Sequence, residues 1–376
     1  MDHKELYIGV MSGTSMDAVD TALVSICGND ITLLAHDEYP FPDTLKQNLL
    51  DVCIGQETNL KVIGELDHQL GHLFAEAVLR LLQYSGVKVS DITAIGNHGQ
   101  TVFHQPTGNL PFTMQLGDAN IIAAKTGIPT VADFRRKDMA LGGQGAPLVP
   151  AFHNTIFKTQ SSNVVVLNIG GISNISVLQP NKKVLGYDTG PGNMLMDAWV
   201  HKCTGEKFDH NGKFAQQGAV LPDLLRILTR EPYFTQAPPK STGRELFNLP
   251  WLEEKLSTYQ TLTAASLNRH DIQRTLCEFT ALTIANEVKR YLEGSNAELL
   301  VCGGGARNPL LMSRLASLLP EWQVSSTSDK GVDSDNMEAM AFAWLAQRRI
   351  HNLPSNLPEV TGASQLASLG VLYYAD

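Results

Sequence analysis

Two stretches decide the fold: Tyr7–Ile26, YIGVMSGTSMDAVDTALVSI, and Val164–Pro180, VVVLNIGGISNISVLQP. Each reads as an apolar strand, a polar turn rich in Gly and Ser, and a second apolar strand. The continuous β-branched run at Asn163–Ile169 suits a buried central strand. The two stretches match in pattern more than in identity, and duplication of this kind implies two similar domains, each presenting a hairpin tip. Facing tips would clasp a phosphate chain from both sides. Around the first tip, Leu6–Met11, Ala18–Ile26 and Ile31–Tyr39 predict an antiparallel opening, the last two joined by a turn at Gly28, Asn29 and Asp30. The tip itself holds Ser12, Gly13, Thr14, Ser15 and Asp17. It offers N–H and O–H donors to an anion and a carboxylate to a metal, although a plain hairpin turn has the same composition.

Length supports two domains, because 376 residues exceed what one core usually organises. A hydrophobic content of 43% with 18% charged residues is that of a globular chain. The net charge of -9, with no Lys/Arg-rich run, argues against a nucleic acid or an anionic membrane as partner and leaves a small ligand. Cys27, Cys53, Cys203, Cys277 and Cys302 are scattered and form no CxxC pair, so neither a disulfide framework nor a cysteine zinc site is implied. MDHKELYIGV has no basic region followed by an apolar core, and no apolar run reaches membrane-spanning length, so the expected location is the cytoplasm.

Helices are predicted over Asp43–Cys53 and from Leu60 to about Tyr84, the latter on apolar residues at helical spacing. Polar residues then gather at strand ends. Ile92–Ile95 runs into GNHGQTVFHQP, Phe112–Leu116 ends at Gly117 and Asp118, and Thr130–Ala132 ends at Asp133. Ligands of open sheets bind at the carboxyl ends of strands, which makes His98, Gln100, Gln115, Asp118 and Asp133 candidates for one cleft. A zinc site of His98, His104 and Asp133 is the alternative, on a spacing that fits no common metal pattern. Asp133–Pro150, DFRRKDMALGGQGAPLVP, is a sharp composition shift and reads as a domain junction. Arg135 and Arg136 beside its glycines suit a carboxylate or phosphate, or a solvated turn.

Further on, Leu185–Asn193, LGYDTGPGN, brings a short strand into Asp188 and then a turn of Gly190, Pro191 and Gly192. A helix over Met194–Thr204 would aim its N-terminus at the same spot. A carboxylate held this way suits a catalytic role, and an ordinary turn Asp is the competing reading. Gly218–Thr229 is predicted helical. Pro238–Leu249, PPKSTGRELFNL, reads as a loop with anion-binding residues Lys240, Ser241, Thr242 and Arg244 but lacks a Walker frame. Asp271 is placed as the cap of a long helix to about Tyr291. The strand Glu298–Cys302 enters Gly303, Gly304 and Gly305, then Ala306, Asn308 and a helix over Leu310–Leu319. Three glycines there let a flat ligand such as adenosine lie on bare backbone. In the helix Asp335–Ile350, Asp335 and Glu338 have the spacing of a capping box.

Taken together, MSGTSMDAVD, GNHGQTVFH, ADFRRKDMALGGQGAPLVPAFH, LNIGGISNIS, GYDTGPGNMLMDAW, STGRELFN, CGGGARNP and NMEAMAFAWLA resemble the anhydro-N-acetylmuramic acid kinase family over essentially the whole chain. The resemblance implies an α/β fold of the kind shared by sugar kinases, actin and heat-shock chaperone ATPases: two related domains with ribonuclease H-like cores, flanking an ATP cleft. It implies a first domain over 1–132, completed by 358–376, and a second over 133–357. Ser12, Gly13, Thr14, Ser15 and Asp17 would form the first phosphate loop; Asn168, Gly170 and Gly171 the second; Gly303, Gly304, Gly305 and Asn308 the adenosine loop. Asp188 matches the family's catalytic base, and His98, Arg136 and Glu338 fall on the substrate side. The implied cofactors are ATP and Mg2+, and the implied assembly is a homodimer; Asp17, on our own reading, would partner the metal directly or through another ligand. The implied reaction phosphorylates O6 of 1,6-anhydro-N-acetylmuramic acid while water opens its anhydro bridge, in peptidoglycan recycling. The rival readings are a non-catalytic actin-like nucleotide switch and a His/Asp metal-dependent hydrolase.

Overall fold

Strand β1 (Glu5–Ser12) pairs antiparallel with β2 (Ala18–Cys27), and β2 with β3 (Asp30–Pro40). The computed structural model from which this follows describes residues 4–13, 16, 18–53, 56–159, 162–238, 240–294 and 296–376. Helices α1 (Asp43–Cys53) and α2 (Leu60–Ser85) lead to β4 (Ile92–Asn97), which returns parallel to β1. A separate hairpin of β5 (Gln100–Gln105) and β6 (Phe112–Leu116) follows, then α3 (Ala119–Thr126) and β7 (Thr130–Ala132), parallel to β4. Helices α4 (Arg136–Ala140) and α5 (Val149–Phe157) precede the second sheet.

That sheet opens with β8 (Asn163–Ile169), β9 (Ile172–Leu178) and β10 (Leu185–Pro191), a second antiparallel run. Helices α6 (Met194–Thr204), α7 (Pro222–Thr229), α8 (Leu249–Thr263) and α9 (Arg269–Lys289) carry the chain to β11 (Ala297–Cys302), parallel to β8. Helix α10 (Pro309–Leu318) then leads to β12 (Trp322–Ser326), parallel to β11. Last come α11 (Met337–Ile350), α12 (Pro358–Thr361) and β13 (Val371–Tyr373), an antiparallel edge on β7.

The sheet orders are β13-β7-β4-β1-β2-β3 and β10-β9-β8-β11-β12. Apart from β13 they are the same order: three antiparallel strands in sequence, then two parallel strands delivered to the far side of the first. The echo between the two opening stretches is thus an echo of topology. Each sheet has its own core, around Ile8, Leu23, Phe74 and Ile95 in one and around Leu167, Phe279, Leu299 and Leu315 in the other.

By internal contacts the chain divides into Met1–Ile156 with Asn336–Asp376, and Phe157–Asp335. The expected limits at 132/133 and 357/358 therefore both fall inside the first unit, for two physical reasons. Gly9 and Gly96 are register partners in β1 and β4, and α11 lies directly on them. A Cβ on Gly9 would stand 1.7 Å from the Ala339 carbonyl oxygen, and one on Gly96 2.0 Å from that of Phe342. Only bare backbone admits the helix so closely. In addition, buried Asp138 accepts from Gly145 N at 2.9 Å, Asn356 Nδ2 at 3.0 Å and Thr361 Oγ1 at 2.8 Å, tying the glycine segment to the C-terminal chain.

Some local expectations change. Strand β5, helix α8 and strands β12 and β13 lie in segments read without elements, and the helix expected from Gly218 starts only at Pro222. Asn268, not Asp271, caps α9, while Asp271 Oδ1 accepts from Ala219 N at 2.8 Å. Asp335 forms no capping box: Asn336 is the N-cap of α11, and the Arg307 guanidinium holds Asp335 with Nε 3.0 Å from each carboxylate oxygen. Gly96→Ala is expected to cost about 1–3 kcal/mol by overpacking against α11. A urea titration with an unchanged midpoint would count against that seat.

Candidate functional site

In the second unit, Asn168 and Cys302 are register partners in parallel strands, so the Gly170–Gly171 and Gly303–Gly305 segments leave the same edge of the sheet. They meet there. At Gly303, with φ +78, a Cβ would stand 2.3 Å from Asn168 Oδ1, and at Gly305 one would stand 2.3 Å from Ile169 Cγ2. Asn308 uses its side chain as the cap of α10, accepting from Leu310 N at 3.1 Å and Leu311 N at 3.3 Å. The turn after Asp188 joins the group: Gly192 N donates to Gly171 O and Asn193 N to Gly170 O, both at 2.8 Å. A Cβ on Gly192 would lie 2.4 Å from Gly170 O, which makes this contact another glycine requirement. Around Gly170 and Gly171 themselves a Cβ would meet nothing closer than 3.5 Å, so their backbone faces are bare. Carboxyl ends of parallel strands carrying bare backbone are where open α/β sheets take phosphates.

Strand β10 does not end at Asp188. It continues through Gly190 and Pro191, and the break is a bulge, with the register to β9 slipping between Asp188 and Gly190. Proline is tolerated because β10 is an edge strand. Thr189 is buried, with Oγ1 2.6 Å from Ser173 Oγ, and Asp188 projects to the other side. Asp188 Oδ2 accepts from Ser241 Oγ at 2.9 Å and Thr242 N at 3.0 Å, while Oδ1 has no hydrogen bond among the described residues. Its backbone is held too, donating from N to Lys240 O at 3.0 Å and accepting at O from Tyr233 Oη at 2.6 Å. Burial raises the Asp188 carboxyl above its ordinary value; the Thr242 and Ser241 donors oppose the rise and the Glu245 charge adds to it.

Lys240, read from sequence as an anion ligand, is buried instead. Its Nζ lies 2.8 Å from Glu287 Oε1, with the two side chains 1% and 4% exposed, and Tyr187 Oη donates to Glu287 Oε2 at 3.0 Å. The ion pair pins the segment that carries Ser241 and Thr242 against α9. A buried pair of this kind is weak evidence of net stabilisation, but deleting one partner strands the other charge. Lys240→Met is therefore expected to destabilise by about 3–5 kcal/mol in thermal or urea unfolding. Lys240→Met combined with Glu287→Met is expected to recover part of that loss. A silent single variant would contradict the pinning.

In the first unit, His98 follows β4, and its backbone N donates to Val10 O at 3.0 Å. Arg135 Nη2 lies 2.8 Å and Nε 3.3 Å from His98 Nε2, and Arg135 Nη1 donates to Gly145 O at 2.7 Å. A guanidinium only donates, so Nε2 accepts and the ring proton sits on Nδ1. Burial first, then the Arg135 charge, hold the His98 pKa well below 6.5, so the ring is neutral. Burial pushes Arg135 down to about 10, opposed by Glu338 and Asp138. Glu338 is raised by burial, opposed by Arg135. His98, Arg135 and Glu338 thus form one cluster.

Arg136 is turned away from that cluster: 67% exposed, it binds Asp133 bidentately, Nε to Oδ1 at 2.8 Å and Nη2 to Oδ2 at 2.6 Å. Of the two arginines read from sequence as anion ligands, Arg135 thus joins His98 and Glu338, and Arg136 pairs with Asp133. The zinc alternative fails on the same geometry. Arg135 occupies His98 Nε2, burial first and then the Arg135 charge lower the pKa of His104, and His104 Nδ1 lies 3.0 Å from Thr113 Oγ1. No group of three or more His, Cys, Asp or Glu able to hold a metal occurs among the described residues. Of the other strand-end residues, Asp118 caps α3 by accepting from Asn120 N at 2.8 Å. Ser12 donates to Gln100 Oε1 at 2.5 Å. Gly13 has open space where a Cβ would be, and Thr14, Ser15 and Asp17 lie outside the described residues.

The family model of anhydro-N-acetylmuramic acid kinase matches residues 5–375. An anhydro-N-acetylmuramic acid kinase of Vibrio parahaemolyticus is 68% identical over 373 residues, covering 99% of each chain, and one of Vibrio cholerae is 66% identical over 376 residues, covering 100% of each. The chain belongs to the anhydro-N-acetylmuramic acid kinase family. Membership in a kinase family leaves the nucleotide-switch and hydrolase readings unsupported. Among solved structures, the activator of the 2-hydroxyisocaproyl-CoA dehydratase from Clostridium difficile with bound ADPNP aligns at a TM-score of 0.43 and 12% identity, over 90% of this chain and 92% of that one. No helix among the described residues is long and apolar enough to cross a membrane.

Proposed function

We propose that the protein phosphorylates O6 of 1,6-anhydro-N-acetylmuramic acid with ATP while water opens the anhydro bridge at C1, yielding N-acetylmuramic acid 6-phosphate and ADP for peptidoglycan recycling. The observation that carries this reading is Asp188: a carboxylate locked on a strand bulge, beside a turn that is hydrogen-bonded to the Gly170–Gly171 loop, with Oδ1 left without a hydrogen bond among the described residues. In the proposed reaction water attacks C1 and gives a proton to Asp188 Oδ1. The C1–O6 bond breaks, and O6 takes the γ-phosphoryl group in place of a proton. The bare backbone of Gly170, Gly171, Gly303 and Gly304 is proposed to receive the nucleotide, with Ser12, Gly13, Thr14 and Ser15 as the other phosphate loop, and Asn168 and Asn308 framing the second and third. Mg2+ would offset charge on the phosphoryl group, drawing most of its ligands from phosphate oxygens and water, with Asp17 as the proposed protein carboxylate.

For the sugar, the neutral His98 ring and Glu338 are proposed to face its hydroxyl and amide groups, and Arg136 its lactyl carboxylate, in exchange for Asp133. Arg135, already committed to His98 and Gly145, is proposed to orient them. The two roles separate kinetically. Arg136→Ala is expected to raise KM for the sugar with little change in kcat, and Arg135→Ala to depress kcat as well; equal effects on both constants from both variants would contradict the division. Five free cysteines fit the cytoplasm, and a homodimer is the assembly the family resemblance implies.

Asp188→Asn should retain ADP affinity by calorimetry yet lose about 10²–10⁴-fold in kcat. Near-normal turnover would remove Asp188 from the role of base. The base works ionised, so kcat/KM is expected to fall as pH drops through a pKa lying above the ordinary 3.8. Ser241→Ala removes a donor that favours the ionised form and should move this acid limb to higher pH. A limb that stays put or moves lower would contradict the assignment.

A further inference from the structure

Within the second unit an open cavity of about 570 Å³ lies between α7, α9 and α10, a volume typical of small-molecule sites. No residue of the glycine segments or of the turn after Asp188 lines it. One wall is apolar, made by Val220, Pro222, Leu225 and Leu282. Cations surround it. Arg314 grips buried Glu278 bidentately, Nε to Oε2 at 2.7 Å and Nη2 to Oε1 at 2.9 Å, and Arg226 pairs with Asp223 outside the lining. Arg274 also lines the cavity and makes no hydrogen bond or ion pair among the described residues. Arg274, Glu278 and Leu282 recur every four residues and so share one face of α9. Thr280, on the other side of the same helix, donates to Gly192 O at 2.9 Å. The lining carries three guanidinium groups and one carboxylate, and with Asp223 counted the patch still keeps one net positive charge, on Arg274, in a chain of net charge -9.

We propose that this cavity is a second ligand site, separate from the glycine loops, for a small organic anion: an oxyanion head, carboxylate or phosphate, on an apolar body. Arg274 takes the head through its planar fork, and the Leu225–Leu282 wall takes the body. The test is calorimetric titration of the full chain, saturated with ADP, using phenyl phosphate and benzoate as probes and inorganic phosphate as control. Saturable binding of either probe is expected, at least ten-fold tighter than inorganic phosphate. That binding is expected to weaken at least ten-fold in Arg274→Ala and to vanish in Arg274→Glu, with ADP affinity unchanged in both variants. The proposal is overturned by any of three results: no saturable heat at millimolar probe, inorganic phosphate binding as tightly as the probes, or binding unaltered by the Arg274 substitutions.

Discussion

Helix α11 rests on backbone rather than on side chains. Gly9 and Gly96, partners in adjacent parallel strands, leave room for the carbonyls of Ala339 and Phe342 where any other residue would place a Cβ. Much of the first unit depends on that seat. Glu338 enters α11 one residue before Ala339, so the depth of the helix sets the depth of its carboxylate beside Arg135. Phe342, on the same face, packs its ring 4.7 Å from His98 and 5.5 Å from Phe134. The C-terminal chain beyond the helix then closes on Asp138, which fixes the glycine loop whose Gly145 carbonyl holds Arg135.

The second unit solves a similar problem with different chemistry. Its glycines, at 192, 303 and 305, let three loops share one sheet edge, and a buried Lys240–Glu287 pair holds the segment that grips Asp188. Both units thus invest glycine where backbone must touch backbone and a buried ion pair or carboxylate where a loop must not move. In each, the polar groups of the candidate site are supported by bonds to neighbours that do not themselves face a ligand.

Much of this was legible in the residues. The opening strands, Asn163–Ile169 and the helix over Met194–Thr204 follow from continuous β-branched runs, apolar spacing and turn residues that act locally, and the shared role of the glycine segments from the family resemblance. What escaped depends on distant partners. Strand β13 is three residues that exist as a strand only against β7, and α11 joins the first unit through contacts some 330 residues away in sequence. Gly190-Pro191 looks like a break because proline ends central strands, yet on this edge both residues stay paired, to Ser173 and Ile172, after a bulge at Thr189. Helix α8 hides behind Pro250, which sits harmlessly in its first turn under the Asn248 cap. Arg135 and Arg136 could not be told apart because α4 is a single short turn without apolar periodicity, and only Asp133 and His98 decide which guanidinium turns inward.

In the proposed reaction a carboxylate activates water, which opens the anhydro bridge while O6 receives the phosphoryl group. Turnover in ¹⁸O-labelled water, sampled within the first few cycles by mass spectrometry, tests it most directly. One heavy oxygen is expected on C1 of the sugar phosphate and none in its phosphoryl group. Label in the phosphoryl group, or an unlabelled C1, would contradict it.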